Sequence, residues 1–151
     1  MNLLFEQIVE VPRESLFAFH TDPANLVLLL EGWKGFELVS HDGHIRPGAR
    51  TRVRQAVGPI KHELLMEHFL LEPPTRFAER QVEGPFTHFE HVHEFFDAPG
   101  GTRLVDRIEF SLPAQHGGSL AEHLVVAPGL RRLFEFRHAA YARLCAAGTF
   151  R

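Results

Sequence analysis

The sequence has a single cysteine, Cys145, and no apolar run of the length that a bilayer requires. One cysteine excludes an intramolecular disulfide and is compatible with a reducing compartment. No basic segment precedes an apolar run at the N-terminus, which argues against secretion. We therefore expect a soluble, cytoplasmic protein with no integral membrane association.

The chain also lacks a strong excess of charge. Its 16 basic and 19 acidic residues give a formal net charge of −3, which provides no general attraction to nucleic acid. The arginines near the C-terminus are interrupted by glutamates such as Glu135, so we predict no nucleic-acid partner. The sequence contains neither a phosphate-binding loop nor a nucleophile elbow.

Phenylalanine is abundant, with 14 residues against one tyrosine and one tryptophan. Hydrophobic residues make up 44% of the 151 residues, which is sufficient for an aromatic core in a chain of this length. We predict one domain over residues 1–151. No internal repeat or linker divides the chain.

The N-terminal part predicts a strand followed by two short helices. The strand covers Leu3 to Val11, and Pro12 suits the start of the first helix. Asn25 is a candidate cap for a second helix through Leu30. Phe36 to His41 predicts the next strand, which ends at a turn dipeptide.

The middle of the chain predicts three hairpins. Turn residues occur at Gly58-Pro59, at Glu72 to Thr75 and at Ala98 to Gly101. They separate runs of alternating polarity over 49–57, 60–71 and 76–82 and two further runs between Gly84 and Phe110. In the first hairpin, Arg54 opposite Glu63 and Arg50 opposite Glu67 place opposite charges on the outer face. The same reasoning predicts these inner-face pairs: Gln55 with His62, Val53 with Leu64, Thr51 with Met66, Met66 with Gln81, His68 with Glu79, His93 with Asp106, and His91 with Ile108.

The inner face of these strands mixes large apolar side chains with titratable ones, which is typical of a small-molecule pocket and not of a dry core. Because alternate residues of a strand share a face, Phe89, His91, His93 and Phe95 point the same way. The candidate ligand-binding residues are Gln55, His62, Met66, Glu79, Gln81, Phe89, His91, His93, Phe95, Leu104, Asp106, Ile108 and Phe134.

From Gly117 onward the apolar residues recur with a period near 3.6, which predicts a long C-terminal helix. We expect a break or kink at Pro128-Gly129. The positions of the pattern are Leu120, Leu124, Leu133, Phe134, Arg137, Tyr141 and Leu144. The order of strand, two helices, six strands and long helix predicts an α+β fold with the helix on one face of a seven-stranded antiparallel sheet.

Four segments carry a resemblance to a known family: Phe77–Phe86, His91–Phe95, Gly101–Arg107 and Leu130–His138. With the order of elements, they resemble the SRPBCC superfamily of START and Bet v 1-like helix-grip domains. The similarity is to a bacterial ligand-binding branch sometimes labelled cell-division-inhibitor-like. The resemblance implies a curved seven-stranded sheet wrapped around the C-terminal helix and an elongated cavity between them. Members include lipid carriers, hormone receptors, polyketide cyclases and chaperone activators, so the fold alone does not define a function.

The sequence leaves several functions open for the inner face. The first is reversible binding of a small hydrophobic or amphipathic ligand, with no cofactor and no catalytic residue; alternatively, the polar groups form a self-satisfied structural network. A second is a cyclase-, dehydratase- or hydrolase-like enzyme in which Asp106 orients His93 as an acid or base. A third is a partner-binding module, for which we expect a closed, fully packed interior and an exposed apolar patch. A metal at His91 and His93 is a weaker alternative, because His62 or Glu79 must converge with them. The sequence does not indicate an oligomeric state.

Overall fold

Seven antiparallel strands form one curved sheet in the computed structural model, which describes residues 1–57 and 59–150. The order across the sheet is β1-β7-β6-β5-β4-β3-β2. Strands β2 to β7 therefore pair with their neighbours in sequence, and β1 pairs with the last strand, β7. The strands are β1 (Asn2–Val9), β2 (Phe36–His41), β3 (Arg50–Val57), β4 (Ile60–Glu72), β5 (Arg76–Glu83), β6 (His88–Ala98) and β7 (Gly101–Ser111).

The predicted strand registers are confirmed. Arg54 lies opposite Glu63 and Arg50 opposite Glu67, and both pairs form ion pairs on the outer face. The inner-face pairs of β3 with β4, β4 with β5 and β6 with β7 also match the predicted ones. The turns at 72–75 and 98–101 occur where expected, whereas Gly58 of the turn at Gly58-Pro59 lies outside the described residues.

Two short helices follow β1, as predicted: α1 (Arg13–His20) and α2 (Asn25–Leu29). Pro12 immediately precedes α1, where the missing N–H of proline costs nothing. The prediction that Asn25 caps α2 is wrong. Its side-chain amide instead donates to the Phe19 carbonyl at the end of α1, which ties the two helices together.

The C-terminal helical region is long, but its irregularity lies ahead of the predicted break. It contains α3 (Gly118–Ala121), a π-helical turn (Glu122–Val126) and α4 (Ala127–Ala146). Pro128 has no N–H to donate to the carbonyl four residues earlier. That carbonyl belongs to the wider π turn, so α4 continues through Pro128 without a break.

The π turn also overturns part of the predicted helical pattern. Leu120 and Leu124 are 71% and 67% exposed, whereas Glu122 and Val126 are buried. Because a π turn contains one residue more than an α-helical turn, the helix before it is rotated relative to α4. The apolar positions obtained by extending the α4 pattern toward the N-terminus therefore fall on the exposed side. From Ala127 onward the expected face is buried, with Phe134, Arg137, Tyr141 and Leu144 turned inward.

Two buried apolar clusters hold α4 against the sheet. In one, Phe5 of β1 stacks on Phe134 of α4 with ring centroids 4.1 Å apart. In the other, Phe17 of α1 packs edge-on against Phe95, with 5.1 Å between centroids. Aromatic pairs in these geometries contribute packing energy beyond the area that they bury. The single domain over 1–151 stays a prediction.

Among the described residues, no helix combines the length and hydropathy needed to cross a membrane. The exposed aliphatic side chains Leu120 and Leu124 belong to short helical segments of four and five residues.

Candidate functional site

A cavity of about 340 Å³ lies between the inner face of the sheet, α2 and the C-terminal helical region. Strands β3 to β7 supply its walls because alternate residues of each strand point toward α4. Eight of the thirteen residues predicted to bind ligand line this cavity: Gln55, Met66, Glu79, Phe89, His91, His93, Ile108 and Phe134.

The other five predicted residues do not line the cavity. Phe95 and Leu104 belong to the apolar cluster under α1, which fills that end of the inner face. Gln81 exchanges two hydrogen bonds with the backbone of Phe86, so its amide holds the β5–β6 connection. His62 lies beside the exposed His116. Asp106 is buried behind the two cavity-lining histidines of β6.

Asp106 contacts His91 and His93 of β6 through one oxygen. His91 Nε2 donates to Asp106 Oδ1 across 2.8 Å, which requires the proton on Nε2 because a carboxylate accepts. His93 Nδ1 lies 2.9 Å from the same oxygen, but the oxygen is off the N–H direction. The predicted approach of His93 to Asp106 is confirmed as a close contact, and the well-aligned hydrogen bond belongs to His91.

Glu79 faces the opposite side of the same histidine pair. Its Oε1 lies 3.7 Å from His91 Nδ1 and 3.7 Å from His93 Nε2. Its Oε2 lies 2.9 Å from His68 Nε2, and His68 Nδ1 is 3.3 Å from the Ala49 carbonyl oxygen. The two stacked imidazoles, with centroids 3.7 Å apart, are therefore held between Asp106 and Glu79.

The surroundings of both carboxylates favour the ionised form. Burial raises the pKa of Asp106, but His91 and His93 outweigh it and hold the pKa well below its usual range. Burial likewise raises the pKa of Glu79, and His68 and His93 reverse the effect. Asp106 is buried and Glu79 half-buried, and the two anions are tolerated here because each has several nitrogen partners.

The pKa values of His91 and His93 shift in opposite directions. Burial lowers the pKa of His91, and the nearby His93 adds to this effect. Burial also lowers the pKa of His93, but Asp106 and Glu79 outweigh it and the net direction is upward. His93 is 4% exposed, and neither ring nitrogen forms a hydrogen bond with the part of the chain that the structure describes.

A second polar group beside the cavity was missed among the predicted ligand-binding residues. His20 Nε2 lies 2.7 Å from the Tyr141 hydroxyl, and the Arg137 guanidinium lies over the Phe134 ring, 4.7 Å from its centroid. Burial raises the pKa of Tyr141 to about 12. Arg137 could have been predicted here, because it occupies a buried position of the α4 pattern. The sequence gives no such indication for His20, because its place depends on how α1 packs.

Trp33 also lines the cavity. Its ring packs against Phe136 of α4 with centroids 5.2 Å apart, and its buried Nε1 has no hydrogen-bond acceptor among the described residues. The side chain therefore combines a packing role with a free donor.

Of the two residues proposed to join His91 and His93 at a metal site, Glu79 converges with them and His62 does not. Atoms of Glu79, His91 and His93 lie within 4.8 Å of one another, whereas His62 lies apart from them. Two imidazoles and one carboxylate form a donor set that first-row divalent metals accept.

Comparison with protein families matches residues 9–134 to the model described as polyketide cyclase / dehydrase and lipid transport. The chain belongs to this family. The polyketide cyclase/dehydrase family is of SRPBCC type, so the superfamily resemblance seen in the sequence is confirmed. No curated protein matches the sequence.

Solved structures show the same fold for this family member. TTHA0849 from Thermus thermophilus is 22% identical, with a TM-score of 0.75 over 97% of this chain and 99% of that one. Ms6760 from Mycobacterium smegmatis is 19% identical, with a TM-score of 0.72 over 97% and 92%. The Bet v 1 allergen Ara h 8.0201 is 14% identical, with a TM-score of 0.63 over 95% and 98%. The helix-grip α+β fold is thereby confirmed. Family and fold fit ligand binding in general.

Proposed function

We propose that the chain binds a small, partly hydrophobic molecule reversibly in the cavity between the sheet and α4. The observation that carries the proposal is the cavity itself, whose volume of about 340 Å³ falls within the range of small-molecule sites. Burial of the apolar part of the ligand supplies affinity at roughly 25 cal/mol per Å². A few fixed polar groups supply orientation.

The lining supports a ligand with two unlike ends. Apolar side chains form most of the wall, including Met66 of β4, Ile108 of β7 and Phe134 of α4. The polar cluster around His93 and Glu79 lies on β5 and β6, at one part of the same wall. A molecule with an aliphatic or aromatic body and one polar group matches this division, and the family description names lipids and polyketides.

Free donors at the wall favour a hydrogen-bond acceptor on the ligand. Trp33 Nε1 and Arg137 Nε are buried, line the cavity and have no hydrogen-bond partner among the described residues. An unpaired buried donor costs on the order of 1–3 kcal/mol, so an acceptor that reaches one of them recovers part of this cost.

The cavity also bears on the alternative functions that the sequence leaves open. A partner-binding module was expected to have a closed interior, so an open one favours ligand binding. The acid–base role of His93 with Asp106 stays a prediction, as do the cytoplasmic location and the absence of a nucleic-acid partner.

A cavity-filling variant tests the proposal. The fluorescence of Trp33, the only tryptophan, reports on the cavity wall. We expect decanoic acid or 1-naphthol to change this fluorescence saturably in the wild-type protein. Val53→Phe places a ring in the cavity and should weaken binding at least tenfold, which corresponds to about 1.4 kcal/mol.

The matched control is Val82→Phe, which makes the same change at an exposed position of β5. It should bind both probes as the wild-type protein does. Thermal unfolding of Val53→Phe shows whether the new ring fills empty space or disturbs a packed core. Over-packing a dense interior lowers stability by typically about 1–3 kcal/mol. Equal binding by both variants, or no binding of either probe by the wild-type protein, would refute the proposal.

A further inference from the structure

We propose that Glu79, His91 and His93 form a binding site for one divalent first-row transition-metal ion, such as Zn²⁺ or Co²⁺, in the wall of the cavity. The ligand atoms are Glu79 Oε1, His91 Nδ1 and His93 Nε2, which lie within 4.8 Å of one another. The site goes beyond the ligand-binding function proposed above and does not depend on it.

The spacing of the three atoms suits an ion better than direct contact. Glu79 Oε1 is 3.7 Å from each imidazole nitrogen, beyond hydrogen-bond distance. Two ligand atoms about 2.1 Å from an ion in a tetrahedral site are themselves roughly 3.4 Å apart. The two carboxylate–nitrogen separations of 3.7 Å are slightly longer than this value, and the two ring nitrogens lie within 4.8 Å of each other, so coordination by all three atoms requires the stacked rings to rotate toward a common centre.

The protonation pattern makes His91 a ligand. Its Nε2 proton is committed to Asp106 at 2.8 Å, so Nδ1 carries a lone pair and faces Glu79. A metal-bound histidine in proteins commonly donates its other N–H to a carboxylate in this way. Asp106 thus acts as a positioning residue for the site.

The other two ligands are held as well. Glu79 Oε2 lies 2.9 Å from His68 Nε2, which leaves Oε1 directed at the histidine pair. His93 lies between the Phe77 and His91 rings, with centroids 4.1 Å and 3.7 Å away. At 4% exposure it has no hydrogen bond to any described residue from either nitrogen, so its Nε2 is a buried polar atom that an ion would satisfy.

The donor set decides the class of ion. Two imidazole nitrogens and a single carboxylate oxygen favour Zn²⁺, Co²⁺ and similar ions over Mg²⁺ and Ca²⁺, which prefer oxygen ligands. All three residues line the cavity, so water or a ligand's acceptor atom completes the coordination from that side.

Metal uptake by the protein without a polyhistidine tag tests the site. After chelator treatment and dialysis, we expect the wild-type protein to take up one Zn²⁺ or Co²⁺ per chain by elemental analysis. Bound Co²⁺ should show ligand-field bands typical of low coordination number. Mg²⁺ and Ca²⁺ should not compete. Glu79→Gln and His93→Gln should lose stoichiometric uptake, and Asp106→Asn should bind about 10–100-fold more weakly.

His116→Gln is the control, because it removes a histidine pair away from the proposed site, His62 with His116, whose ring centroids lie 6.1 Å apart. It should take up metal as the wild-type protein does, and circular dichroism checks that each variant is folded. Absence of stoichiometric uptake by the wild-type protein overturns the proposal, whatever the variants do. Unchanged uptake by folded Glu79→Gln, or uptake lost in His116→Gln, also overturns it.

Discussion

His91 Nε2 donates to Asp106 Oδ1 across 2.8 Å, and both side chains are buried beside the cavity. The two residues are diagonal neighbours on β6 and β7, because Asp106 lies directly opposite His93 and His91 opposite Ile108. One hydrogen bond therefore joins two strands, fixes the His91 tautomer and places a carboxylate behind both imidazoles.

Removal of this carboxylate should strongly destabilise the fold. Asp106→Ala leaves two buried imidazoles without their anion, and breaking a buried pair in this way costs about 3–5 kcal/mol. Asp106→Asn retains a side-chain acceptor of the same shape and should cost clearly less. Urea unfolding at neutral pH measures both changes. A loss for Asp106→Ala that is no greater than for Asp106→Asn would contradict this reading of the pair.

His20 should make stability depend on pH. Burial holds its pKa well below the usual value, and Arg137 and His93 add to this effect while Asp106 and Glu79 oppose it. The unfolded chain therefore gains a proton that the folded chain does not, as the pH falls below about 6.5. The contribution of His20 is fully present above that pH and is lost below it.

The variant His20→Gln isolates this term. The unfolding free energy is compared at about pH 7.5 and about pH 5.5, roughly one unit on either side of the ordinary histidine pKa. The difference between the two pH values should be smaller in His20→Gln than in the wild-type protein. Unfolding in urea at the two pH values provides the comparison. An equal difference in the two proteins would show that His20 does not carry the effect.

The two ends of the C-terminal helical region should respond differently to truncation. Phe134 is buried and stacks on Phe5, so Phe134→Ala should cost about 3–5 kcal/mol. Leu120 is 71% exposed, and Leu120→Ala should change stability by no more than about 0.5 kcal/mol. Similar losses in thermal unfolding would mean that the helical face at Leu120 is packed after all.

Gly101 should not tolerate a side chain. A Cβ atom there would overlap the Val9 carbonyl oxygen and the backbone of Glu10, so Gly101→Ala should cost more than about 1 kcal/mol. Gly129, within α4, has space for a methyl group, and Gly129→Ala should stabilise by roughly 0.5–1 kcal/mol. Chemical unfolding of both variants checks the opposite signs, and a neutral Gly101→Ala would contradict the close approach of β7 to the segment after β1.

The sheet was largely predictable because antiparallel pairing is decided by local rules. Turn residues fix where each hairpin reverses, and charge pairs such as Arg54 with Glu63 leave one register in which both faces are consistent. The inner-face pairs, including His93 with Asp106, followed from that register. The family resemblance added the placement of the C-terminal helix.

What the register does not determine is what covers the inner face. Phe95 and Leu104 point inward as expected, but α1 packs over them through Phe17 and fills that end. Gln81 is taken up by the nearby backbone of Phe86. The contribution of His20 beside the cavity depends on helix placement, which long-range packing sets and strand periodicity does not report.

Entry of a small amphipathic molecule into the cavity can be followed at a single residue. The chain has two methionines, and Met66 lines the cavity whereas Met1 does not, so a protein labelled with ¹³C at the methionine methyl groups carries a probe and an internal reference. In an NMR titration with decanoic acid, entry of the acid into the cavity should shift the Met66 methyl resonance saturably while that of Met1 stays nearly fixed. A Met66 resonance that remains unmoved up to the solubility limit of the acid, and with 1-naphthol as well, would contradict it.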